Sequence, residues 1–244
     1  MWLTSLARRL EKTAARWQGK GYGTATIARE NALVHQLLGR TPELAIDIGG
    51  NVGDYSAELR RRHPALEIHV FEPSTTNIAK LRARFAGDGR ISVLPHAVSD
   101  APREATLYAD VSGSGMGSLV QRDLAHRGLD FTAQETVRVV RFEDHWQAQL
   151  GRRPIDIVKL DIEGFELMAL RGFGDALAAT SVLQFEFGGC NIDTRTNFRD
   201  FWKLFAERGF ELYRITPFGL DRLKRYRESD EFYSTTNYLV KNTR

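Results

Sequence analysis

The clearest pattern in the chain is an alternation of short apolar segments with segments that carry apolar residues at helical spacing. The apolar segments are rich in Val, Ile, Leu and Phe, which is typical of strands buried on both faces. The predicted strands are Leu44–Ile48, Glu67–Phe71, Ile91–Val98, Ile155–Leu160, Val182–Phe187, Phe210–Ile215 and Thr236–Val240. The predicted helices between them are Tyr55–Arg62, Thr75–Phe85, Glu163–Leu170 and Phe198–Arg208. This alternation predicts an α/β fold in which helices cover both faces of a mostly parallel sheet.

Two departures from the alternation refine this prediction. Pro95 lies inside the third predicted strand, and because proline cannot donate a ladder hydrogen bond, this strand is expected at a sheet edge. Residues 99–154 form an insertion that is too long for a simple crossover, with short strands predicted at Thr106–Ala109 and Thr136–Arg141. Between these strands, the small residues at 112–118 form either a disordered surface connection or a lid over a ligand site.

The first 40 residues are predicted to be a helical segment that precedes one domain at 41–244. Helices are expected at 2–18 and at about 27–39. The first helix carries a thin stripe of apolar residues: Trp2, Leu3, Leu6, Leu10 and Trp17. A thin stripe favours packing on the domain or on a second subunit, and the alternative is a helix that binds a membrane surface or a partner. No apolar core with a cleavage site follows, so no secretory signal is expected.

Charge and composition narrow the functional classes. The 244 residues carry a net charge of +3, and residues 1–22 hold five basic residues against one acidic residue. The remainder is close to neutral, which argues against a broad surface for nucleic acids. No run of eighteen apolar residues occurs, so no transmembrane helix is expected. The single cysteine, Cys190, excludes an internal disulfide and favours a reducing compartment, either the cytoplasm at large or the inner face of the membrane.

The segment Asp47–Asp54 joins the first strand to its helix with the pattern D-x-G-x-N-x-G-D. Glycines let the backbone approach a ligand, yet this spacing fits neither a dinucleotide fingerprint nor a triphosphate-binding loop. Asp47 would repel a pyrophosphate and attract an ammonium group. Glu72 ends the second strand, where a carboxylate can accept both ribose hydroxyls. The expected ligand has an ammonium group, a ribose and no phosphate, and S-adenosylmethionine has these features.

With these motifs, the sequence resembles the FkbM-type class I S-adenosylmethionine-dependent methyltransferases. The matching segments are Asp47–Asp54, Val70-Phe-Glu72-Pro73, Pro95-His-Ala97-Val98-Ser99-Asp100 and Lys159-Leu-Asp161-Ile-Glu163-Gly164-Phe-Glu166. The resemblance implies a Rossmann-like, doubly wound sheet of seven strands in the order 3-2-1-4-5-7-6, with strand 7 antiparallel. It also implies methylation of hydroxyl groups on sugars, glycans or other natural products. One departure is Arg141-Phe142-Glu143, where the family usually has Thr-Leu-Asp.

The resemblance and the expected strand ends together define a predicted site. The residues predicted to bind the cofactor are Asp47, Gly49, Gly50, Asn51, Gly53, Tyr55, Glu72, Pro73, Ala97, Val98, Ser99 and Asp161. The residues predicted to act in catalysis are Glu163, Asp161, Lys159 and Glu186. A hydroxyl acceptor must lose its proton, and crowded carboxylates raise the pKa of at least one of them to a range that suits this task. Glu163 is the preferred general base, and the adenine is expected beside Ala97–Ser99.

The sequence leaves structural alternatives open for these side chains. Glu163 either removes a proton or caps the helix that follows it. Lys159 either stabilises an oxyanion or forms a buried ion pair with Asp161, and Glu186 either binds acceptor hydroxyls or pairs with Lys159. Glu166 is expected to be structural. The histidines expected nearest the site are His96 and His126.

Two other functions remain open at this point. One is N-methylation of a small molecule or a nucleic acid, although Asp161-Ile-Glu-Gly stands where a nucleobase amine methyltransferase has an Asn/Asp-Pro-Pro motif. The other is a non-catalytic module that binds the cofactor, against which the intact Asp47, Glu72 and Asp161 argue. No metal site is predicted, because no compact D-x-D or D-D-x-N string is present. The sequence does not indicate the acceptor or the oligomeric state.

Overall fold

The predicted alternation of strands and helices is present in the computed structural model, which describes residues 2–23 and 26–244. The strands are β1 (Leu44–Ile48), β2 (Glu67–Phe71), β3 (Ile91–Leu94), β4 (Ala97–Ser99), β5 (Arg103–Ala109), β6 (Ala133–Arg141), β7 (Ile155–Leu160), β8 (Thr180–Phe187), β9 (Phe210–Thr216), β10 (Gly219–Leu223) and β11 (Thr236–Asn242). The helices are α1 (Trp2–Trp17), α2 (Ile27–Leu38), α3 (Asp54–Arg62), α4 (Thr75–Arg84), α5 (Phe142–Ala148), α6 (Glu166–Arg171), α7 (Cys190–Asp193) and α8 (Phe198–Ala206). The protein is therefore a mixed α/β protein, as the pattern predicts.

The large sheet has the strand order β10-β9-β11-β8-β7-β1-β2-β3. Seven of these strands follow the predicted order 3-2-1-4-5-7-6, and β11, the predicted strand 7, is antiparallel to both neighbours. The predicted count of seven strands is wrong, because β10 adds an eighth strand in a hairpin with β9. No residue of β10 is fully buried, so this strand lacks the apolar run by which the other strands are recognised.

The predicted third strand is divided at Pro95. β3 ends at Leu94 on the edge of the large sheet, where a residue without an N–H group is tolerated. After Pro95, β4 leaves this sheet and joins a second sheet with the order β4-β6-β5. The single predicted strand Ile91–Val98 is therefore two strands in two sheets.

The insertion at 99–154 is a folded part of the domain. β5 and β6 pair antiparallel along their length, from Arg103 opposite Val139 to Ala109 opposite Ala133, and both are longer than predicted. The sequence pattern does not reveal α5, which follows β6 directly. This short helix is held by the stacked rings of Phe142 and Phe173, whose centroids are 4.2 Å apart.

Two hydrophobic clusters cover the two faces of the large sheet. On one face, Phe185 of β8 stacks on Phe201 of α8, with ring centroids 4.8 Å apart. On the other face, Leu33 and Val34 of α2 are buried with Leu239 of β11. Each large apolar side chain buried in this way contributes roughly 1.5–3 kcal/mol, so the clusters fix the helices on the sheet. α2 thus belongs to the core of the domain.

α1 lies outside both clusters. Ala15 is its one buried residue among those described. The apolar stripe is exposed, with side chains between 40% and 75% accessible: Trp2, Leu3, Leu6, Leu10 and Trp17. Of the two predicted packing partners, the domain is therefore excluded, and packing on a second subunit stays a prediction. Within the described parts of the chain, no helix combines the length and the apolar character needed to cross a membrane.

Candidate active site

The predicted motifs meet at the edge of the large sheet where the parallel strands end. β1 lies between β2 and β7, and Asp47 of β1 is level with Lys159 of β7. The residues that follow these strands, Gly49, Glu72 and Asp161, therefore converge on one edge. In open α/β sheets, ligands bind outside this edge, at the carboxyl ends of the strands.

The turn after β1 is tightly packed, which explains its first two glycines. The N–H groups of Gly49 and Gly50 both donate to the carbonyl oxygen of Phe71, at 2.9 and 3.1 Å. Gly49 has a φ of 84°, and a Cβ atom there would lie 1.9 Å from the carbonyl oxygen of Asp161. Any side chain would therefore separate the turn from the end of β7.

Asp47 is fully buried behind this turn. Its Oδ2 atom accepts a hydrogen bond from the Ser56 hydroxyl at 2.5 Å, whereas its Oδ1 atom has no hydrogen-bond partner among the described residues. Burial raises the pKa of Asp47, and the neighbouring charge of Lys159 and the Ser56 hydrogen bond partly oppose this shift. The carboxylate does not line either of the two pockets described below, so its contact with an ammonium group stays a prediction.

Glu72 follows β2 and is almost fully buried. Its two carboxylate oxygens accept hydrogen bonds from the backbone N–H groups of Asn51, at 2.8 Å, and Ser74, at 2.9 Å. Burial raises the pKa of Glu72 to about 7, although the two N–H donors and Asn77 lower it and Asp47 adds to the rise. The side chain is thus fixed in position, with lone pairs still available to a ligand.

A pocket of about 820 Å³, with its open mouth included, adjoins Glu72, and we call it the Glu72 pocket. The apolar part of its wall consists of Ile48, Phe71, Pro73, Ala97, Val98, Leu107, Ala109, Leu119, Ala133, Ile162 and Phe165. Such a wall suits a planar, uncharged ring, and Ala97 and Val98 lie where the sequence predicts an adenine.

Most residues predicted to bind the cofactor line one of the two pockets. They are Gly49, Gly50, Asn51, Tyr55, Glu72, Pro73, Ala97, Val98 and Asp161. Ser99 does not, because it is buried and its hydroxyl donates to Asp100 at 2.9 Å. Gly53 does not either, because it precedes α3 with a φ of 87° and packs against Phe85. Direct contact of the cofactor with these two residues stays a prediction, as it does for Asp47.

The small residues at 112–118 fold over the Glu72 pocket and line it. At one end of this segment, the hydroxyls of Ser112 and Thr76 are hydrogen-bonded at 2.8 Å. At the other end, Ser118 exchanges backbone hydrogen bonds with Tyr108 and its hydroxyl donates to the carbonyl oxygen of Glu163 at 2.8 Å. Of the two interpretations open from the sequence, this geometry favours a lid.

A larger opening adjoins the Glu72 pocket and shares Asp161 and Glu163 with it. The four residues predicted to act in catalysis all line this opening: Lys159, Asp161, Glu163 and Glu186. We call it the acidic pocket, because Glu30, Asp54, Asp123 and Asp193 line it as well. A molecule in the acidic pocket would lie directly beside a ligand in the Glu72 pocket.

Lys159 and Asp161 form an ion pair at the base of the acidic pocket. The Nζ atom of Lys159 donates to Asp161 Oδ2 at 3.0 Å and lies 5.1 Å from the centre of the Tyr55 ring. Burial lowers the pKa of Lys159, but the charges of Asp161 and Asp47 outweigh burial and raise it above its ordinary value. Lys159 therefore stays charged and orients Asp161.

Glu163 is held by an arginine from the insertion. Arg122 donates from Nη1 to Glu163 Oε2 at 2.5 Å and from Nε to Asp193 Oδ2 at 3.2 Å. Burial and the nearby charge of Asp161 raise the pKa of Glu163 to about 7, against the lowering effect of Arg122. A carboxylate with this pKa accepts and releases a proton near neutral pH.

Glu163 and Glu166 lie in different positions after β7, one in the turn and one at the start of a helix. Glu163 has a φ of 53° and lies before α6, so it does not cap that helix. Glu166 is the first residue of α6, and its carboxylate accepts hydrogen bonds from the N–H groups of Ile162 and Gly164. The predicted helix start at Glu163 is therefore corrected to Glu166, whose role is structural, as expected.

Glu186 of β8 completes the acidic pocket. Its pKa lies well above the ordinary value, because of burial and then because of the charges of Asp161, Glu163 and Glu166. Its partner is not Lys159, which is bonded to Asp161. The carboxyl group thus faces the pocket as a proton-bearing or hydrogen-bonding group.

Sequence reasoning missed several charged residues of the acidic pocket, among them Arg122 and Glu30. Arg122 lies in an irregular part of the insertion, where no periodic pattern marks it. Glu30 of α2 accepts hydrogen bonds from the side chains of Gln184, at 2.6 Å, and Asn237, at 3.2 Å. Tyr55 donates to the same Gln184 at 3.0 Å. A buried acid on the apolar face of a predicted helix is the signal that identifies Glu30 as unusual.

The two histidines that the sequence predicts near the site lie in different pockets. His96 lines the Glu72 pocket, and His126 lines the acidic pocket. Across residues 2–23 and 26–244, no group of three or more His, Cys, Asp or Glu side chains is arranged to hold a metal ion.

Comparisons with known proteins give a consistent result. The Methyltransferase FkbM domain model matches residues 47–212. The chain is 29% identical over 170 residues to the 31-O-demethyl-FK506 methyltransferase FkbM of Streptomyces tacrolimicus, over 59% of this chain and 64% of that protein. It is 23% identical over 197 residues to the 2-O-methyltransferase NoeI of Sinorhizobium fredii, over 76% of this chain and 78% of that protein.

A solved structure supports the fold. The methyltransferase FkbM from Methylobacillus flagellatus aligns with a TM-score of 0.50 and 17% identity, over 82% of this chain and 44% of that chain. The matched segment spans only 58% and 64% of the length of two of the curated relatives. Because the domain model covers more than half of the chain, this protein belongs to the family of methyltransferases that carry an FkbM domain.

Proposed function

We propose that this protein transfers a methyl group from S-adenosylmethionine to a hydroxyl group of a sugar, a glycan or another natural product. The observation that carries the proposal is the convergence of Asp161, Glu163 and Glu186 in a pocket that opens beside the Glu72 pocket. The single cysteine is free and buried, which supports a cytoplasmic location.

The Glu72 pocket fits the donor. Glu72 presents a fixed carboxylate to the ribose hydroxyls, and the apolar wall at Ala97 and Val98 accommodates the adenine. Gly49 and Gly50 bring bare backbone to the junction of the two pockets. The unpartnered Oδ1 atom of the buried Asp47 is an acceptor behind this junction that suits a cationic ligand. When bound, S-adenosylmethionine supplies an electrophilic methyl group.

The acidic pocket supplies the groups that a hydroxyl acceptor needs. With S-adenosylmethionine bound, Glu163 would accept the proton of a hydroxyl that donates a hydrogen bond to it. The hydroxyl oxygen would bond to the methyl carbon, and the bond from that carbon to sulfur would break and release S-adenosylhomocysteine. Arg122 fixes the direction of Glu163, and Lys159 fixes Asp161. Glu186 is placed to accept a hydrogen bond from a second hydroxyl of the acceptor. The lid at 112–118 excludes water from the junction, so the donor and acceptor meet in a fixed orientation.

The relatives support transfer to oxygen. Two of them are named for an oxygen position: FkbM of Streptomyces tacrolimicus for 31-O, and NoeI of Sinorhizobium fredii for 2-O. Acceptors of this kind carry several hydroxyl groups, and an acidic pocket binds hydroxyls better than it binds anions.

The experiment compares extracts of the source cells with and without the gene, by mass spectrometry. The proposal predicts that a glycan or metabolite loses the mass of one CH2 group in the deletion strain. Fragmentation of the wild-type product must then locate that methyl group on an oxygen. A methyl group on nitrogen would contradict the hydroxyl acceptor, and an unchanged set of methylated products would contradict the activity.

A further inference from the structure

The apolar stripe of α1 faces away from the domain. At 3.6 residues per turn, the two tryptophans and three leucines of the stripe fall within an arc of about 100°. Ala15, the buried contact of α1, lies about 170° from the middle of that arc. The stripe is therefore exposed, and it contains five of the eight exposed large apolar side chains of the described chain.

A row of cations runs along one side of this stripe. Arg8, Lys12 and Arg16 follow one another at four-residue spacing, and Arg9 lies between them and the apolar arc. All four are exposed, and Glu11 is the one acidic residue of the helix. An exposed apolar face with tryptophan at each end and a basic flank has the composition of helices that lie in the headgroup region of a lipid bilayer.

The position of α1 connects this surface to the active site. Just after α1, Lys20 donates to the carbonyl oxygen of Ser229 at 2.5 Å, and the N–H of Gly21 donates to the Thr236 hydroxyl at 3.2 Å. These bonds fix the end of the helix beside the start of β11. Gly23 and Ile27 then line the acidic pocket.

Two exposed apolar side chains, one in α7 and one in a turn, lie at this edge of the sheet. Ile192 is 59% accessible and lines the acidic pocket, and Phe218 is 76% accessible in the turn after β9.

We propose that α1 docks on a bilayer surface that contains anionic phospholipids, and that it thereby brings the acidic pocket to that surface. The cationic flank is complementary to anionic headgroups. It is not complementary to a second copy of the chain, since two such helices paired face to face would place their cations close together. The proposal concerns binding and does not depend on methyl transfer.

The test is co-sedimentation of the full-length protein with vesicles of phosphatidylcholine mixed with phosphatidylglycerol, and with vesicles of phosphatidylcholine alone. We expect binding to the anionic vesicles that weakens as salt is raised. The double variant Arg8→Glu/Lys12→Glu should weaken binding by more than about tenfold. Leu6→Asp/Leu10→Asp should abolish it. The matched control is Arg82→Glu/Lys203→Glu, which makes the same change of charge at exposed positions of α4 and α8 and should bind as wild type.

Three results would overturn the proposal. One is a wild-type protein that does not bind anionic vesicles. Another is equal loss of binding in the control variant, which would show a response to net charge alone. The third comes from light scattering after size-exclusion chromatography without lipid: a dimer that Leu6→Asp/Leu10→Asp converts to a monomer would show that a second copy covers the stripe.

Discussion

Glu72 and Glu163 have similar pKa values but different surroundings. Burial raises both pKa values to about 7. Backbone N–H groups hold Glu72, whereas the buried side chain of Arg122 holds Glu163. A carboxylate fixed by the backbone suits ligand binding, and one balanced between Arg122 and Asp161 suits proton transfer.

Replacement of Glu72 tests the donor site. Glu72→Ala removes two charge-assisted hydrogen bonds to the ribose and should weaken S-adenosylmethionine binding by about 2–4 kcal/mol in titration calorimetry. Because the ionised carboxylate is the better acceptor, wild-type affinity should rise with pH through about 7 and then level off. Glu72→Ala should lose this dependence. Glu104→Ala, an exposed acid on β5, is the control, and equal affinities of all three proteins would show that the donor binds elsewhere.

Arg122 is a positioning residue, and its replacement tests how Glu163 is tuned. Arg122→Met removes the charge that lowers the pKa of Glu163, so the acidic limb of the pH–rate profile should move to higher pH. Each unit of this movement lowers the rate at neutral pH about tenfold, because less of the base is ionised. Asp193→Asn removes the other partner of Arg122 and should leave the limb near its wild-type position. A lower rate with an unmoved profile would indicate a purely structural role for Arg122.

In the β1–α3 turn, the cost of replacing a glycine depends on the space around its Cα atom as well as on its φ angle. Gly49 and Gly39 both have positive φ values, of 84° and 74°. A Cβ atom at Gly39 meets nothing within 4 Å, whereas one at Gly49 meets the end of β7. Gly39→Ala should therefore cost only about 1 kcal/mol of unfolding free energy. Gly49→Ala should cost at least about 2–3 kcal/mol and should also weaken donor binding. Chemical denaturation compares the two, and equal costs would contradict the tight contact between Gly49 and β7.

The elements also show what the sequence reveals and what it does not. Strands such as β1 and β7 are buried along their whole length. Their sequences are therefore mostly apolar from end to end, and the predicted bounds of both strands are correct. β10 is half exposed and α5 has only seven residues, so neither has a clear period. The motifs at strand ends locate Glu72 and Asp161 correctly. Arg122 reaches Glu163 from 41 residues away through an irregular loop, a contact that only the tertiary structure defines.

At the scale of the whole molecule, α1 and the domain are separate in composition and in packing. The excess of positive charge lies in residues 1–22, and the pockets lie in the remainder of the chain. A truncated protein that begins at Gly19 should therefore keep its affinity for S-adenosylmethionine in titration calorimetry. It retains the contacts of Lys20 and Gly21 with the body of the protein. Loss of donor binding in a folded truncation would mean that α1 closes the site.

The central claim is that Glu163 removes the proton of a hydroxyl acceptor during methyl transfer. The most direct measurement is single-turnover methyl transfer to the identified acceptor, with wild-type and Glu163→Gln protein, across neutral pH. Glu163→Gln keeps the shape of the side chain and removes its basicity. If Glu163 is the general base, Glu163→Gln should lower the rate by roughly 10²–10⁴-fold and leave donor affinity nearly unchanged. The wild-type rate should rise with pH through about 7. Equal rates and the same pH profile for the two proteins would show that Glu163 is not the base.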